Sequence, residues 1–477
     1  MVCLQEKSIL AISLLLILCQ SVGSSSLYPM LFDRCTEIIT TSNSEIDFQY
    51  EACTSVIVTG SAAKDGRAIL MKNRDSSQVY NVPVYHSATN DTYAFVAINS
   101  YWMGMNEKGL AVMNTAMPDL AEGTDYGSFN GPLNRIILER CENVSEVYSR
   151  LFSRTDPLIP EDADGTVASC VGVIDRFGNG AFIEVSNTQA SMEIIRDGYQ
   201  SRANHPRTFP GLASGPNGRD QYALDALDEI FTENDVISWQ DVAQVISRNV
   251  RGKEQGTSQF GINGEVCNPN TVSAMVAVSG DQRYDGALNT VWFSYGQVPM
   301  VSVFIPSMVL DGEPPTILED MVSYTQAKDD YATNSGTTYN PTRVREIQEY
   351  SFAAENYTFN QYDRLMDQIP QGLSETDLEN TIHDFIDLTV SVASDMYVNQ
   401  TSDLPDYAVQ FNVTAEPSIT EPISTTVTVT DSTSSTIGTT ATDLIEFPSI
   451  PIAITGFAVG IILVAVVFVA LARKWKE

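Results

Sequence analysis

The chain predicts an α+β fold, on three observations. Period-two apolar runs joined by Asp-Gly or Asn-x-x-Gly turns recur as hairpins, segments of helical spacing come in pairs between groups of these hairpins, and the regular strand–helix–strand alternation of a doubly wound sheet is absent. The first hairpin organises the rest. Cys53-Thr-Ser-Val-Ile-Val-Thr-Gly alternates small polar and branched apolar residues, Asp65-Gly66 makes a turn, and Ala68 to Met71 opens a second apolar run. It begins at a thiol and finishes at Lys72, Asn73, Arg74 and Asp75, so its pairing would bring a candidate nucleophile beside charged and amide groups.

The remaining elements follow in order. Asp91 to Ile98 reads as a strand, and Tyr101-Trp-Met-Gly-Met, the turn Asn106-Glu-Lys-Gly109 and Leu110 to Asn114 read as a second hairpin. Helical spacing appears in Leu133, Ile136 and Ile137, then in Val147 and Leu151, with Ser145 as N-cap and Glu146 in the first turn of the second helix. Ala168 to Asp175, the Gly178 turn and Ala181 to Val185 return to the hairpin pattern. Asp220 to Phe231 and Trp239 to Arg251 read as helices, and Thr271 to Val278, Thr290 to Phe293 and Met300 to Ile305 as strands. Beyond Pro314-Pro315 and the polar stretch Asn334 to Pro341 come helices over Arg343 to Phe359, Tyr362 to Gln368 and Glu375 to Tyr397, the last capped by Ser374. They form a helical extension packed onto the domain, and there is no internal repeat.

Both ends of the chain point to export. Lys7, the apolar run Ile9 to Leu18 and the small residues Ser21 to Ser26 have the order of a secretory signal, with removal near Gly23. Cys19 invites a lipoprotein reading, which the large Leu18 before it disfavours. Glu416 to Thr442 is dominated by Thr, Ser, Ile and Val, a composition suited to a glycosylated stalk. Ile450 to Ala472 is uncharged and apolar and reaches roughly 34 Å as a helix, enough for a hydrocarbon core of about 30 Å. Arg473, Lys474 and Lys476 with Trp475 then place the tail on the cytoplasmic side, so the body lies outside a cell membrane on a single-pass anchor. Sequons at Asn90, Asn143, Asn356, Asn399 and Asn412 accord with a glycoprotein.

Composition narrows the function classes. The 477 residues carry a formal net charge of −33, which speaks against nucleic-acid partners. No Cys/His spacing suggests a metal, and no cluster implies an organic cofactor. Of 7 cysteines, Cys3 and Cys19 sit in the signal region. The remaining five, Cys35, Cys53, Cys141, Cys170 and Cys267, leave at least one unpaired thiol in an oxidising compartment, and Cys53 is the choice for it. Cys53 as a small buried hydrophobe, or as half of a disulfide with Cys35, is the competing reading.

Taken together, Cys53-Thr-Ser, the Asp-Gly turn, Lys72-Asn-Arg-Asp75 and Gly104-Met-Asn-Glu-Lys-Gly-Leu-Ala-Val-Met-Asn114 resemble the N-terminal-nucleophile hydrolases. The closest likeness is to the branch of acyl-CoA:6-aminopenicillanic acid acyltransferases, penicillin V acylases and choloylglycine hydrolases. Ala203-Asn-His-Pro206, Gly218-Arg-Asp220, Asn268-Pro-Asn-Thr271 and Thr290-Val-Trp-Phe293 fall where later motifs of that branch are expected, so the likeness spans roughly 53 to 310. It implies an αββα four-layer sandwich made as a precursor that cuts itself between Ala52 and Cys53. The chain would then divide into a signal peptide (1–23), a propeptide (24–52), a catalytic domain (53–312), the helical extension (313–410), the stalk (411–448), a transmembrane helix (449–472) and a cytoplasmic tail (473–477).

The resemblance also implies roles. Cys53 matches the nucleophile, Asp75 the carboxylate that receives the new ammonium, and Asn204 the amide donating to the oxyanion. Asn114 matches a second amide near that site, and Arg219 a late arginine supporting the nucleophile end. Lys72 stands where the choloylglycine branch has an arginine, and Arg74 lies two residues on, so either supplies the positive charge near the thiol. The α-amine of Cys53, with an ordinary pKa of about 7.7–8.0, can serve as base for its own thiol, and no histidine is needed. The implied enzyme is an amidase or acyltransferase cleaving linear C–N bonds of a small-molecule amide or acyl substrate, with a dipeptidase of the same superfamily as an alternative. Two other readings are a papain-like pairing of Cys53 with His205 and a non-catalytic surface-binding protein on this fold.

Overall fold

The computed structural model describes residues 52–400 apart from 79–80, 122, 124, 251–264, 296–297, 316–317 and 335–337. These belong to one compact unit. The segments read as signal peptide, propeptide (up to residue 51), stalk, transmembrane helix and cytoplasmic tail, with Cys35 and Asn412, lie outside the described residues. Among those described, no helix is long and apolar enough to cross a membrane.

Strands β1 (Ala52–Thr59) and β2 (Ala68–Asp75) form the first hairpin, antiparallel, with Cys53 opposite Arg74 and Ala52 opposite Asp75. Gly66 takes a φ of 75° in the connection, and the Asp65 carboxylate accepts from the Arg67 N–H at 3.0 Å, so the turn is built as its residues suggest. The pair sits in the middle of a six-stranded sheet, flanked by β10 (Gly198–Arg202) on one side and β11 (Thr271–Ser279), β12 (Thr290–Tyr295) and β13 (Val303–Ser307) on the other. A seven-stranded sheet runs in sequence order from β3 (Pro83–His86), β4 (Phe95–Ile98), β5 (Met103–Asn106) and β6 (Ala111–Ala116) to β7 (Ala168–Ile174), β8 (Gly180–Ser186) and β9 (Ala190–Ile195). Every pairing in both sheets is antiparallel.

Alternation along the strands separates the layers. Ile57 of β1 and Leu70 of β2 join Met113, Cys170 and Phe182 in a core between the sheets. Val56, Val58, Ile69 and Met71 face the other way, toward helices α3 (Arg219–Asn234), α5 (Pro341–Gln368) and α6 (Glu375–Val392). The second sheet turns Val112, Val171 and Ile183 outward against α1 (Asn130–Arg140) and α2 (Val144–Arg150). Both sheets are thus covered on both faces, and β1 and β2 are apolar in both phases because neither phase meets water.

Several boundaries differ from the sequence reading. Asn143, not Ser145, caps α2: its side-chain oxygen accepts from Glu146 N, while Ser145 lies inside the helix. The cap of α6 is Ser374, accepting from Asp377 N. The two helices read over 343–368 are one, α5, because Asn360 and Gln361 break nothing and Gln361 is itself buried. The segment from Trp239 is a single helical turn, Trp239–Asp241, continuing as a π-turn over Val242–Ile246. The strands β3, β9 and β10, the short antiparallel pair Thr333–Asn334 and Thr338–Tyr339, and helix α4 (Leu318–Ala332) have no counterpart in the sequence reading. β9 and β10 are half-exposed and polar, so they lack the apolar run that marks the core strands. Cys53, Cys141, Cys170 and Cys267 are all buried, and no disulfide joins them to one another.

The extension is bound into the domain by packing and by charge. Trp292 of β12 stacks on Trp239 at 4.7 Å, and Phe359 and Tyr362 of α5 meet it edge-on. Beside them Arg248 donates to Glu355 of α5 at 2.6 Å, both side chains being almost wholly buried, and Glu355 also accepts from the Phe304 N–H at 2.9 Å. Removing one partner of such a pair strands a buried charge. Glu355→Ala is therefore expected to lower unfolding stability by about 3 kcal/mol or more in denaturant titrations, and a loss below about 1 kcal/mol would show that the pair does not hold the extension.

Candidate active site

The site forms where the start of β1 and the end of β2 meet the loop after β10. Cys53 is buried, and its backbone N–H donates to Asn204 Oδ1 at 2.7 Å. The same oxygen accepts from Arg219 Nη2 at 2.6 Å, at the first residue of α3, while Asn204 Nδ2 donates to the Ala116 carbonyl of β6 at 2.7 Å. Asn204 is read from the sequence as an oxyanion donor. In the structure its amide is turned the other way, with the oxygen toward the Cys53 nitrogen and the NH2 group held by the second sheet.

Asp75 lies directly across from Ala52 in the hairpin register, fully buried. Thr271 Oγ1 donates to one of its oxygens at 2.6 Å and Asn268 Nδ2 to the other at 3.2 Å. Burial pushes the Asp75 carboxyl above its ordinary range, against the pull of the Arg219 charge, the two hydrogen bonds and the Lys72 charge.

Lys72 and Arg74, the two candidate cations, are both buried and both lie over the Trp102 ring, at 5.4 and 4.7 Å from its centroid. Arg74 faces Cys53 across the strands and donates to Asn81 Oδ1 at 2.7 Å. Lys72 donates to Asn114 Oδ1 at 3.1 Å, which leaves Asn114 Nδ2 buried with no hydrogen-bond partner among the described residues. The sequence-read residues Cys53, Asn204 and Arg219 thus form one hydrogen-bonded group, Lys72 and Asn114 a second, and Asp75 is clamped by Asn268 and Thr271.

Several contributors carry no role in the sequence reading. Trp102 figures there only as part of a hairpin, and Asn268 and Thr271 only as members of a motif. Glu184 escapes it altogether. It is buried in β8 and accepts from Arg202 Nε at 3.2 Å and from the backbone N–H groups of Arg207, Thr208 and Phe209 at 2.8, 2.9 and 2.7 Å, so it fixes the loop that carries Asn204. A single charge inside Ala181-Phe-Ile-Glu-Val185 is the available signal, since an acid survives in an apolar run only where donors await it. His205, the partner required by a papain-like pairing, contacts Asn217 at 3.3 Å and Asp220 at 3.4 Å. Among the described residues no cluster of His, Cys, Asp or Glu could hold a metal ion.

Comparison with known proteins finds likeness over part of the chain. Residues 61–249 match the family described as acyl-coenzyme A:6-aminopenicillanic acid acyl-transferase, and the chain resembles the N-terminal-nucleophile hydrolases of that branch. The matched stretch includes Asp75, Asn114, Asn204 and Arg219 and begins after Cys53. Among solved structures, a mutant of conjugated bile acid hydrolase from Clostridium perfringens is 11% identical, covers 54% of this chain and 92% of its own, and gives a TM-score of 0.33. Penicillin V acylase from Agrobacterium tumefaciens is 14% identical over 54% of this chain and 86% of its own, with a TM-score of 0.31. A search of curated protein sequences gave no match.

The raised affinity of Asp75 for a proton has a testable sign. A carboxyl whose folded pKa exceeds its unfolded value near 3.9 contributes stability that is fully present below that value and is lost as pH rises through the folded one. In a Cys53→Ala background, Asp75→Asn is expected to gain stability relative to its parent from pH 4 to pH 8, read by thermal or denaturant unfolding. A difference that does not change with pH would contradict this.

Proposed function

We propose that this protein is a membrane-anchored, extracytoplasmic cysteine hydrolase or acyltransferase of the N-terminal-nucleophile type, matured by its own cleavage between Ala52 and Cys53. The observation that supports this most is the seat of that peptide bond: its nitrogen donates to Asn204 Oδ1 at 2.7 Å, and Ala52 pairs with the buried Asp75 across the hairpin. The family match over residues 61–249 points the same way.

In maturation the Cys53 thiol adds to the Ala52 carbonyl, the C–N bond breaks, and the acyl group passes to sulfur as a thioester while the nitrogen takes a proton. Water then hydrolyses the thioester and releases the propeptide. The freed nitrogen is received by Asn204 and by the charge of Asp75. In turnover the same thiol attacks the carbonyl of an amide substrate, the amine leaves, and an acyl-thioester on Cys53 is resolved by water in hydrolysis or by a second amine in transfer. Asn114 Nδ2, buried and without a partner among the described residues, is the donor best placed for an oxyanion, with Lys72 holding the other end of that amide. The Arg74 and Lys72 charges favour a thiolate at Cys53. The sequence features at the two termini support the location outside the membrane.

Intact mass and N-terminal sequencing of the purified ectodomain test this reading. The wild type is expected to begin at Cys53, Cys53→Ala to retain residues up to Ala52, and His205→Ala to cleave itself as the wild type does. Wild-type and Cys53→Ala chains that both begin near Ser24 would overturn the self-cleaving mechanism and bring a binding role to the front.

A further inference from the structure

We propose that Tyr339, in the C-terminal extension, is a positioning residue for Asp75: a proton on the buried Asp329 turns the Tyr339 hydroxyl onto the Asn268 carbonyl and steadies the turn that clamps Asp75. The proposal rests on the reading of Cys53 as a self-cleaving nucleophile and concerns what holds its carboxylate in place. The clamp is one tight turn. Asn268 O accepts from the Thr271 N–H at 2.8 Å, the Asn268 N–H donates to Thr271 Oγ1 at 3.0 Å, and the side chains of the same two residues reach Asp75 at 3.2 and 2.6 Å. On its far side this turn meets the extension. Tyr339 is fully buried, with Oη 3.4 Å from Asn268 O, and its hydroxyl also hydrogen-bonds Asp329 of α4. The main chain fixes Tyr339 there: it pairs with Thr333, and the next N–H, of Asn340, donates to Ala332 O at 2.7 Å at the end of α4. Asn268, Asp329 and Tyr339 all lie beyond residues 61–249, so a segment outside the family match reaches the back of the candidate site.

A phenol has one hydrogen, and this one faces two acceptors. With Asp329 ionised the hydrogen goes to the carboxylate, the stronger acceptor, and Tyr339 Oη then meets Asn268 O lone pair to lone pair. With Asp329 protonated by water, the carboxyl O–H donates to Tyr339 Oη and the phenol hydrogen turns to Asn268 O. Asp329 is built to take that proton. Its Oδ1 is buried with no hydrogen-bond partner among the described residues, which leaves the charged form poorly solvated. Burial, with the Asp330 charge beside it, pushes the Asp329 carboxyl up to about 6 against the pull of the Tyr339 hydroxyl. Facing the pair from other elements are Cys267, in the loop before β11, and Asp75 of β2; burial and both of these groups raise the Tyr339 pKa, so the phenol keeps its hydrogen. Arg248 acts on Cys267 and is itself engaged by Glu355. A carboxyl raised in this way contributes stability that is fully present below about 3.9 and is lost as pH rises through about 6, so the steadied clamp belongs to the acid side.

Self-cleavage tests this without a substrate. Precursor ectodomains made by cell-free translation are transferred to buffers from pH 4.5 to pH 8, and loss of the residues up to Ala52 is timed by intact mass. Tyr339→Phe removes the hydroxyl alone. The wild type is expected to cleave about threefold to tenfold faster than Tyr339→Phe at pH 5, the two rates converging by pH 8. A tyrosine that only fills space would leave a ratio independent of pH, and that result overturns the proposal. Asp329→Asn cannot ionise and still offers Tyr339 a donor, so it is expected to match the wild type at pH 5 and exceed it about threefold to tenfold at pH 8. An Asp329→Asn rate that follows the wild type across the range also overturns it. If one variant does not fold, the other decides. If neither folds, the wild type decides: a change of slope near pH 6 in the logarithm of its rate supports the proposal, and a single slope from pH 4.5 to pH 8 overturns it. A wild type never cut at Cys53 fails the underlying reading as well, whereas a wild type that is cut at a rate Tyr339→Phe matches at every pH fails this proposal only.

Discussion

One amide oxygen ties the molecule together. Asn204 Oδ1 receives the nitrogen of Cys53 at the head of β1 and the guanidinium of Arg219 at the head of α3, while the same side chain reaches through Nδ2 to β6 in the other sheet. Three layers therefore have to be in register before these bonds can form together. The core between the sheets, from Ile57 and Leu70 to Met113 and Phe182, sets the spacing that allows it. Apolar packing supplies the driving force, and the amide supplies the alignment.

Polar and charged groups cluster at the same end of the sandwich, where their burial is costly unless each finds a partner. Glu184 gathers Arg202 and three successive backbone N–H groups, converting a strand and a loop into one rigid mount for Asn204. Asn268 and Thr271 do the same for Asp75. Asn114 Nδ2, Trp102 Nε1 and Arg219 Nε are buried and have no partner among the described residues. Well-satisfied mounts around a few unsatisfied donors are the arrangement expected where a protein accepts local cost for chemistry.

Much of this is legible in the residues. The hairpin from Cys53 to Asp75, its Asp-Gly turn and the strands at 168–174 and 180–186 follow from β-branched periodicity and turn chemistry, and the structure keeps them within a residue or two. The site residues are recoverable by type and order: a thiol, a carboxylate, two amides and a cation at motif spacing. The direction of the Asn204 amide is not, because an asparagine carries donor and acceptor alike and only its neighbours decide which end points where. Glu184 and Trp102 escape because their roles depend on residues far along the chain. β9 and β10 escape because half-exposed edge positions tolerate polar residues and so blur the period.

The sequence by itself determined the α+β class, the central hairpin and the kinds of side chain at the candidate site, since backbone propensity, turn chemistry and residue type are local properties. Tertiary structure alone decided that Asn204 accepts from Cys53 instead of donating, that Lys72 holds Asn114 while Arg74 faces the thiol, and that the C-terminal helices close the outer face of the first sheet through Trp292, Phe359 and the Arg248–Glu355 pair. Those outcomes rest on hydrogen bonds and ion pairs between residues tens to hundreds of positions apart. Their geometry exists only once the apolar faces have packed.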